Sequence, residues 1–526
     1  MNHLVIMPVV LPALAAALLL LLRPSLRWQR RAGSAVCAAL VAVAAWLLML
    51  AAQGGHQVYA LGDWPAPFGI VLVLDRLSAV MLLLTALVAL PALLYAGAGW
   101  HRNGQHFSPL FQFLLMGVNG AFLTGDLFNL FVFFEVMLAA SYGLVLHGSG
   151  AARVRAGLHY IVVNLAASLL FLIGVSVVYG VAGTLNMADL ALRVRDVAAE
   201  DRALLEAGAA AFGLAFLIKA AMWPLGFWLP PAYAAASAPA AAVLSVLSKV
   251  GVYAVLRVWL LLFGDGAGES AEFGRAWLMA GGLLTIAFGS VTVLATQTMA
   301  RLAGAGVLVS SGTLLAAVGA GHVAVTGGAL LYLASSVLAL GAFFLLVELV
   351  ERGREVGADV LAVTREAFGA GEEEPDEEDE VGVAIPGTVA VLGIGFMACA
   401  LLIAGLPPLS GFLAKFAMLA PLLGPGGGGV PPATWALLTA LVLSGLMTVV
   451  AMMRAGIDVF WASPADAAPR VGLIEAAPVA GLLLLCGALT VWAGPALEYA
   501  QAAAQALHAP REYLRDVLAP PAEGGG

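Results

Sequence analysis

The chain contains fourteen separate apolar segments, each long enough to cross a lipid bilayer as a helix. About 20 predominantly apolar residues span the hydrocarbon core in helical form. Lipid offers free backbone groups no hydrogen-bond partner, so a spanning segment must be helical. We therefore predict an all-α polytopic membrane protein with about fourteen transmembrane helices. The segments are residues 4–22, 33–52, 76–97, 107–124, 127–147, 158–181, 205–229, 237–262, 276–296, 303–320, 327–349, 384–416, 433–453 and 472–493.

Composition leaves no room for a soluble domain of useful size. The 526 residues are 62% hydrophobic and 11% charged, whereas soluble domains carry about 25% charged residues. Cys37, Cys399 and Cys486 lie far apart in predicted spans, which favours apolar fillers over disulfides or metal ligands. The acidic run 371–380, "GEEEPDEEDE", is typical of a solvated loop. Without a P-loop, dinucleotide-binding glycines, a CxxC pair or an HExxH motif, we predict no catalytic residue, cofactor, metal or nucleic-acid partner.

The arginines predict the orientation of the spans. The N-terminus is apolar before it is charged, unlike a secretory signal. Positive residues mark cytoplasmic loops, so we predict a multi-pass protein of a prokaryotic inner (plasma) membrane with its N-terminus outside. The loop 182–204 is an exception, in which acidic residues offset three arginines. The residues that fit the rule are Arg23, Arg27, Arg30, Arg31, Arg153, Arg155, Arg301, Arg352, Arg354, Arg454 and Arg470.

The lysines follow a different pattern. The chain has only three, Lys219, Lys249 and Lys415, and all lie in predicted spans, as does Glu135. A charge at bilayer depth costs about 3 kcal/mol on insertion scales. Snorkelling of the long side chain could explain Lys415, but it explains Lys219 and Lys249 poorly, and Glu135 is too short for it.

Burial disfavours the charged form of a lysine, so a buried lysine can release a proton near neutral pH. An arginine does not deprotonate in proteins. We therefore predict proton translocation through Glu135, Lys219, Lys249 and Lys415, with an ionised glutamate able to keep a nearby lysine charged.

Prolines follow or precede two of these lysines. Pro224 lies shortly after Lys219, and Pro407 and Pro408 lie shortly before Lys415. Proline removes a helix hydrogen bond, and interrupted membrane helices often form transporter sites. We predict discontinuous helices 7 and 12, although a plain helix end followed by a loop proline is the alternative.

Helices 7 and 12 lie five spans apart and must run in opposite directions. This offset predicts two inverted five-helix repeats, helices 4–8 and 9–13. The predicted division is residues 1–104 for helices 1–3, 105–262 for the first half, 276–424 for the second half with an acidic cytoplasmic loop at 350–383, and 433–526 for the C-terminal helices and tail.

Other polar residues have a functional and a structural interpretation. His159, in the sixth span, could relay protons, or it could be a hydrogen-bonded helix histidine. Asp126 and Asn129 are typical of a helix N-terminus, where a carboxylate caps the first turn. Asp75 and Glu348 are predicted to be interfacial by position.

Three stretches resemble a known family. "GDLFNLFVFFEVMLAASYGLVLHG", "FLIKAAMWPLGFWLPPAYAAASAPAAAVLSVLSKVGVYAVLR" and "GLPPLSGFLAKFAML" are similar to D subunits of Mrp-type monovalent cation/proton antiporters, relatives of antiporter-like subunits of complex I and membrane-bound hydrogenases. The resemblance implies an ion pair between Glu135 and Lys219, a central relay at Lys249 and terminal proton exchange at Lys415. It also implies a membrane complex of six or seven different subunits, with antiport absent from any one alone.

One stretch departs from the family pattern. Relatives often carry His or Lys in the eleventh span, where this chain has "YLASSVL" with Ser335 and Ser336. We expect water held by these serines to serve as a possible relay between Lys249 and Lys415.

These observations predict a proton-translocating subunit of a Na+ or K+/H+ antiporter, a secondary transporter rather than an enzyme. An antiporter-like subunit of a complex I or hydrogenase assembly is one alternative, and a structural membrane scaffold is another. The sequence does not choose between Na+, K+ and Ca2+.

Overall fold

The structure, a computed structural model, describes residues 3–21, 25–104, 106–352, 387–423, 431–460 and 471–519. Nineteen helices are described, numbered here in chain order. They are α1 Met7–Leu21, α2 Leu26–Ala52, α3 Arg76–Ala96, α4 Phe107–Leu123, α5 Leu127–Val145, α6 Ala151–Ala182, α7 Met187–Arg195, α8 Ala199–Lys219, α9 Leu229–Ala235, α10 Ala238–Leu262, α11 Arg275–Ala295, α12 Met299–Ala320, α13 Val323–Glu351, α14 Gly387–Ala404, α15 Ser410–Leu419, α16 Pro432–Phe460, α17 Leu473–Val491, α18 Ala493–His508 and α19 Arg511–Leu518.

The predicted polytopic all-α fold is confirmed. Eleven of the described helices are long and apolar enough to cross a membrane, and three shorter apolar helices accompany them. Thirteen of the fourteen predicted segments coincide with these helices, the twelfth with two of them. The seventh coincides instead with α8 and the beginning of α9, which do not belong to this set. The acidic run 371–380 lies outside the described residues, as do Arg23, Arg354 and Arg470.

Helices 7 and 12 are interrupted, as the prolines predict. The seventh span stops with α8 at Lys219 and resumes with α9, whereas the twelfth stops with α14 and resumes with α15. A backbone amide in each break donates to a threonine of a neighbouring helix: Trp223 N to Thr285 Oγ1 over 2.8 Å, and Ser410 N to Thr490 Oγ1 over 2.9 Å. The two interrupted spans lie five spans apart, as the predicted inverted repeat requires.

The molecule has two distinct faces. The hairpin face carries the antiparallel strands β1 (Gln57–Ala60) and β2 (Val71–Leu74). The C-terminal helix α19 packs beside them, where His56 Nδ1 lies 3.0 Å from Asp516 Oδ2. The opposite surface, which we call the arginine face, carries Arg153 and Arg352, whose side chains line a common cleft. The hairpin has little signal in the sequence, because each strand has only four residues.

One arginine does not fit the pattern of charges at span ends. Arg257 lies in a π-helical turn inside α10 and is buried. Its Nη2 atom is 2.6 Å from Asp75 Oδ2, and Asp75 also caps α3 through the Ser78 amide. Arg257 is therefore not a topology signal, because a buried carboxylate neutralises its charge inside the protein.

Candidate functional site

All three lysines are buried in the protein interior. Lys219 is 4% exposed, Lys249 0% and Lys415 8%. Lys415 does not extend towards the membrane surface: its Nζ atom turns back and donates to Ala404 O, at the end of α14, over 2.8 Å. The snorkelling alternative for Lys415 is therefore wrong. A freed helix-terminal carbonyl in the break accepts the ammonium instead.

Glu135 and Lys219 are neighbours without direct contact. Glu135 is half-buried on α5 and accepts a hydrogen bond from Ser168 Oγ of α6. Lys219 Nζ lies 4.9 Å from the ring centroid of Phe134 and has no hydrogen-bond partner in the described part of the chain. The implied ion pair is therefore not formed in this conformation. Glu135 remains close enough to act electrostatically on the lysine.

A small cavity, which we call the inner cavity, lies between Lys219 and α10. Its volume is about 10 Å³, close to the smallest space that holds one water molecule. Trp228 Nε1, at the start of α9, is another buried donor with no partner among the residues described. The inner cavity thus leads from Lys219 to Ser248, the residue before Lys249. Its polar lining residues are Tyr160, Asn164, Lys219, Trp228, Tyr233 and Ser248.

Lys249 joins the two inverted halves. It lies on α10 in the first half, and its Nζ atom donates to Ser311 Oγ over 2.9 Å and to Val307 O over 3.4 Å. Both acceptors belong to α12, in the second half. As far as the described residues extend, the hydrogen-bond partners of Lys249 therefore lie only on α12.

Serines continue from Lys249 towards Lys415. Ser310 Oγ, next to Ser311, donates to Ser336 Oγ over 2.9 Å. Ser335 Oγ is 2.8 Å from Ser410 Oγ, at the start of the helix that carries Lys415. A second space of about 10 Å³, which we call the serine cavity, separates these two pairs. Its polar lining residues are Ser310, Tyr332, Ser335, Ser336 and Thr448.

Comparison with known proteins agrees with this arrangement. The family model described as "NADH:quinone oxidoreductase/Mrp antiporter, TM" matches residues 124–448. The chain belongs to this family. It is 58% identical over 534 residues to the D subunit of a probable K+/H+ antiporter of Rhizobium meliloti strain 1021, covering 100% of this chain and 99% of that one. It is also 34% identical over 528 residues to the D subunit of the Na+/H+ antiporter of Bacillus subtilis strain 168, covering 98% of this chain and 100% of that one.

Solved structures share the fold over nearly the whole chain. A chain of the Mrp complex from Dietzia sp. DQ12-45-1b superposes with a TM-score of 0.84 at 26% identity, covering 99% of this chain and 100% of that chain. A chain of respiratory complex I from Thermus thermophilus superposes with a TM-score of 0.74 at 22% identity, covering 98% and 100%. The complex I likeness shows a common fold only.

Two predicted positions in this member of the NADH:quinone oxidoreductase/Mrp antiporter family lie away from the buried lysines. His159 is exposed on α6, and its Nδ1 atom is 3.0 Å from Arg155 O of the same helix. The contact observed is that of a hydrogen-bonded helix histidine, and the relay role of His159 stays a prediction. Asp126 caps α5, as predicted, by accepting from Asn129 N over 2.8 Å.

Sequence reasoning missed several polar residues of this site. Ser311 and Ser410 contact the lysine region through cross-helix hydrogen bonds, and Trp228 and Tyr233 line the inner cavity. One available signal was the pair Ser310–Ser311, which matches the pair Ser335–Ser336 in the next span. The described ranges contain no cluster of three His, Cys, Asp or Glu side chains that could hold a metal.

Proposed function

We propose that this chain is the proton-translocating D-type component of a multisubunit monovalent cation/proton antiporter. The observation that carries the proposal is the series of three buried lysines joined by a small cavity and by serine hydroxyls. Two proteins named as antiporter D subunits support it, because they are 58% and 34% identical to this chain over 100% and 98% of its length. Scattered structural lysines would not require polar groups between them, whereas a proton path does.

In the first half, the proton moves between Lys219 and Lys249. Lys219 Nζ has no fixed acceptor among the described residues and lies beside the inner cavity, so a water molecule there can take its proton. Glu135 controls the charge of Lys219 electrostatically, and its hydrogen bond from Ser168 fixes its distance in this conformation. A shift of Glu135 towards Lys219 stabilises the charged lysine, and its withdrawal favours proton release.

In the second half, serines relay the proton from Lys249 to Lys415. A serine hydroxyl can donate and accept at once, so a hydrogen-bonded series can pass a proton without a titratable side chain. Ser335 and Ser336 take the place of the His or Lys found in relatives, and the serine cavity leaves space for a bridging water. The proposed order is Lys249, Ser311, Ser310, Ser336, the serine cavity, Ser335, Ser410 and Lys415. Direct hydrogen bonds join Lys249 to Ser311, Ser310 to Ser336 and Ser335 to Ser410, and in this proposal water bridges the steps from Ser311 to Ser310 and from Ser410 to Lys415.

Orientation, partners and cation complete the proposal. We place the arginine face in the cytoplasm of a prokaryotic cell, with the chain in the plasma membrane and its N-terminus outside, because positive residues mark cytoplasmic loops. Other membrane subunits complete the transporter, and the proton gradient drives exchange at about 2.3 kcal/mol per charge per 100 mV. Potassium is the first cation to test, because the 58% identical relative is named as part of a probable K+/H+ antiporter.

The test is Lys219→Ala in the assembled complex. We expect cation-dependent collapse of a pH gradient in membrane vesicles to fall at least about tenfold, with normal co-purification of the other subunits. Leu214→Ala is the matched control, because Leu214 is an exposed residue of the same helix. Full exchange activity in Lys219→Ala would refute the proton path. Failed assembly of that variant alone would favour the scaffold alternative.

A further inference from the structure

The Tyr233 side chain separates the inner cavity from a much larger cleft. The cleft opens on the arginine face, has a volume of about 310 Å³ and is lined by Trp100, Arg153, Glu348 and Arg352 among others. Tyr233 belongs to the lining of both spaces and is itself 1% exposed. One side chain therefore forms a wall with the cleft on one side and the Lys219 cavity on the other.

Contacts from neighbouring elements fix this wall in place. The Tyr233 hydroxyl donates to Leu244 O of α10 over 2.7 Å. Its ring lies 6.2 Å from the ring of Trp228 and 6.3 Å from the ring of Phe344 on α13, measured between centroids. Arg153 Nε, on α6, donates to Ala235 O at the end of α9 over 2.7 Å. Residues of α6, α10 and α13 thus hold the tyrosine and the helix that carries it.

The segment that carries Tyr233 is short and follows a break. Helix α9 has seven residues, and the break between Lys219 and Leu229 disconnects it from α8. A short helix with a non-helical connection on one side can shift without bending a long span, as hinge segments do. Movement of α9 would carry Tyr233 away from Leu244 and leave Lys219 on the other side of the break.

We propose that Tyr233 is the gate between the cleft and the inner cavity, moved by α9. The proposal rests on the proposed function, because a gate on proton access to Lys219 has a role in transport only in a proton-translocating subunit. A permanently open cavity would let Lys219 exchange protons with the arginine face at every stage, which would uncouple proton movement from cation movement. In the closed position, the phenol ring of Tyr233 prevents this proton exchange. In the open position, the inner cavity is exposed to the charged cleft.

Chemical access to the inner cavity tests the gate directly. The reporter is Ser248→Cys, in a complex where Cys37, Cys399 and Cys486 of this chain are replaced by Ser. Labelling by Ag+, a monatomic thiol reagent, is measured from the arginine face. We expect slow labelling with Tyr233, labelling at least about tenfold faster with Tyr233→Ala, and an intermediate rate with Tyr233→Leu. Tyr233→Phe keeps the ring and should stay within about threefold of Tyr233.

Two control variants separate a gate from general loosening. Leu247→Ala enlarges only the inner cavity, because Leu247 lines that cavity and not the cleft. Val347→Ala enlarges only the cleft, because Val347 lines the cleft and not the inner cavity. Neither should increase labelling from the arginine face. An increase in both controls equal to that of Tyr233→Ala would overturn the gate.

The labelling result is independent of transport activity. Equal rates for Tyr233 and Tyr233→Ala overturn the gate even if Lys219→Ala abolishes exchange. Conversely, a faster Tyr233→Ala rate supports the gate even if Lys219→Ala keeps full exchange and refutes the proton path. If Tyr233→Ala does not assemble, Tyr233→Leu against Tyr233→Phe decides: faster labelling of the Leu variant supports the gate, and equal rates overturn it.

Discussion

At the residue scale, Ser311 is the hydroxyl group on which the buried ammonium of Lys249 depends. Replacement by Ala leaves Lys249 only the longer 3.4 Å contact with Val307 O. A hydrogen bond to a charged group contributes about 1.5–3 kcal/mol, and about 1.4 kcal/mol corresponds to tenfold. We therefore expect Ser311→Ala to lower cation/proton exchange by about tenfold or more in membrane vesicles.

The matched control for Ser311 is Ser245→Ala. Ser245 is equally buried and lies on the same helix as Lys249, but its hydroxyl bonds only Ala242 O one turn earlier. Exchange should stay within about twofold in that variant. Equal losses in both variants would show that the effect comes from packing and not from the lysine contact.

Ser335 and Ser410 form a second pair whose value can be measured as a coupling. Their hydroxyl oxygens are 2.8 Å apart. If the pair relays protons as one unit, Ser335→Ala and Ser410→Ala should each lower exchange, and the double variant should be no slower than the worse single variant. Additive losses would mean that the two hydroxyls act separately.

The lysines could be predicted from sequence, but their serine partners could not. Three lysines in apolar spans are too costly to be incidental, whereas a serine usually bonds a carbonyl of its own helix. Ser444 does this through Leu441 O, and nothing in the sequence distinguishes it from Ser311. The implied ion pair between Glu135 and Lys219 is not formed for a related reason. The distance between two side chains depends on tertiary packing, which the sequence motif does not specify.

At the scale of elements, the prolines locate the breaks but not their beginnings. Helix α8 ends at Lys219, five positions before Pro224, and Ala221 has a positive φ of 58°. In the twelfth span the turn falls at Gly405, with a φ of 74°, a conformation that glycine adopts without strain. Proline explains why the helix cannot continue. The packing of neighbouring helices determines where it stops.

The hydrogen bond from Trp223 N to Thr285 Oγ1 should stabilise the first break. Thr285→Val keeps the shape of the side chain and removes the acceptor, at a cost of about 1 kcal/mol. We expect the Trp223 amide to exchange with deuterium about fivefold faster, a factor that corresponds to about 1 kcal/mol. Thr292→Val on the same helix is the control, because Thr292 bonds Phe288 O of its own helix. Unchanged protection at Trp223 would contradict the anchoring role.

At the scale of the whole molecule, Lys249 and Ser311 form the junction between two inverted halves. The sequence predicted the two halves because helices 7 and 12 lie five spans apart. An odd number of spans reverses the direction of a helix, so counting the spans is sufficient. The predicted residue boundaries of the four regions stay a prediction, since repeat symmetry does not define where a region ends. The surface helices α18 and α19 had no hydropathy signal, and tertiary contacts such as that of His56 with Asp516 attach them to the hairpin face.

The attachment of α18 to α13 should weaken in mild acid. His508 Nε2 is 3.0 Å from Thr326 Oγ1 of α13. Burial lowers the pKa of His508 below its ordinary 6.5; Asp265 opposes this shift, and His322 and Arg275 add to it. The folded pKa lies below the unfolded one, so the detached state binds protons more readily. The stabilisation of α18 is therefore complete above about pH 6.5 and is lost progressively as the pH falls towards the folded pKa.

Hydrogen exchange of α18, corrected for the intrinsic effect of pH, measures this loss in the intact complex. We expect protection of Ala493–His508 to fall between pH 7.5 and 5.5, values that bracket the ordinary histidine pKa of about 6.5. His508→Gln can keep a hydrogen bond to Thr326 without titrating, so its protection should be independent of pH across that range. Asp516 cannot produce the same change. Burial opposes its ionisation, but the hydrogen bonds from His56 and Arg515 outweigh burial and lower the pKa of Asp516 below its ordinary 3.8. Its contribution is lost only in stronger acid, so equal pH dependence in His508→Gln would rule out His508 as the group responsible.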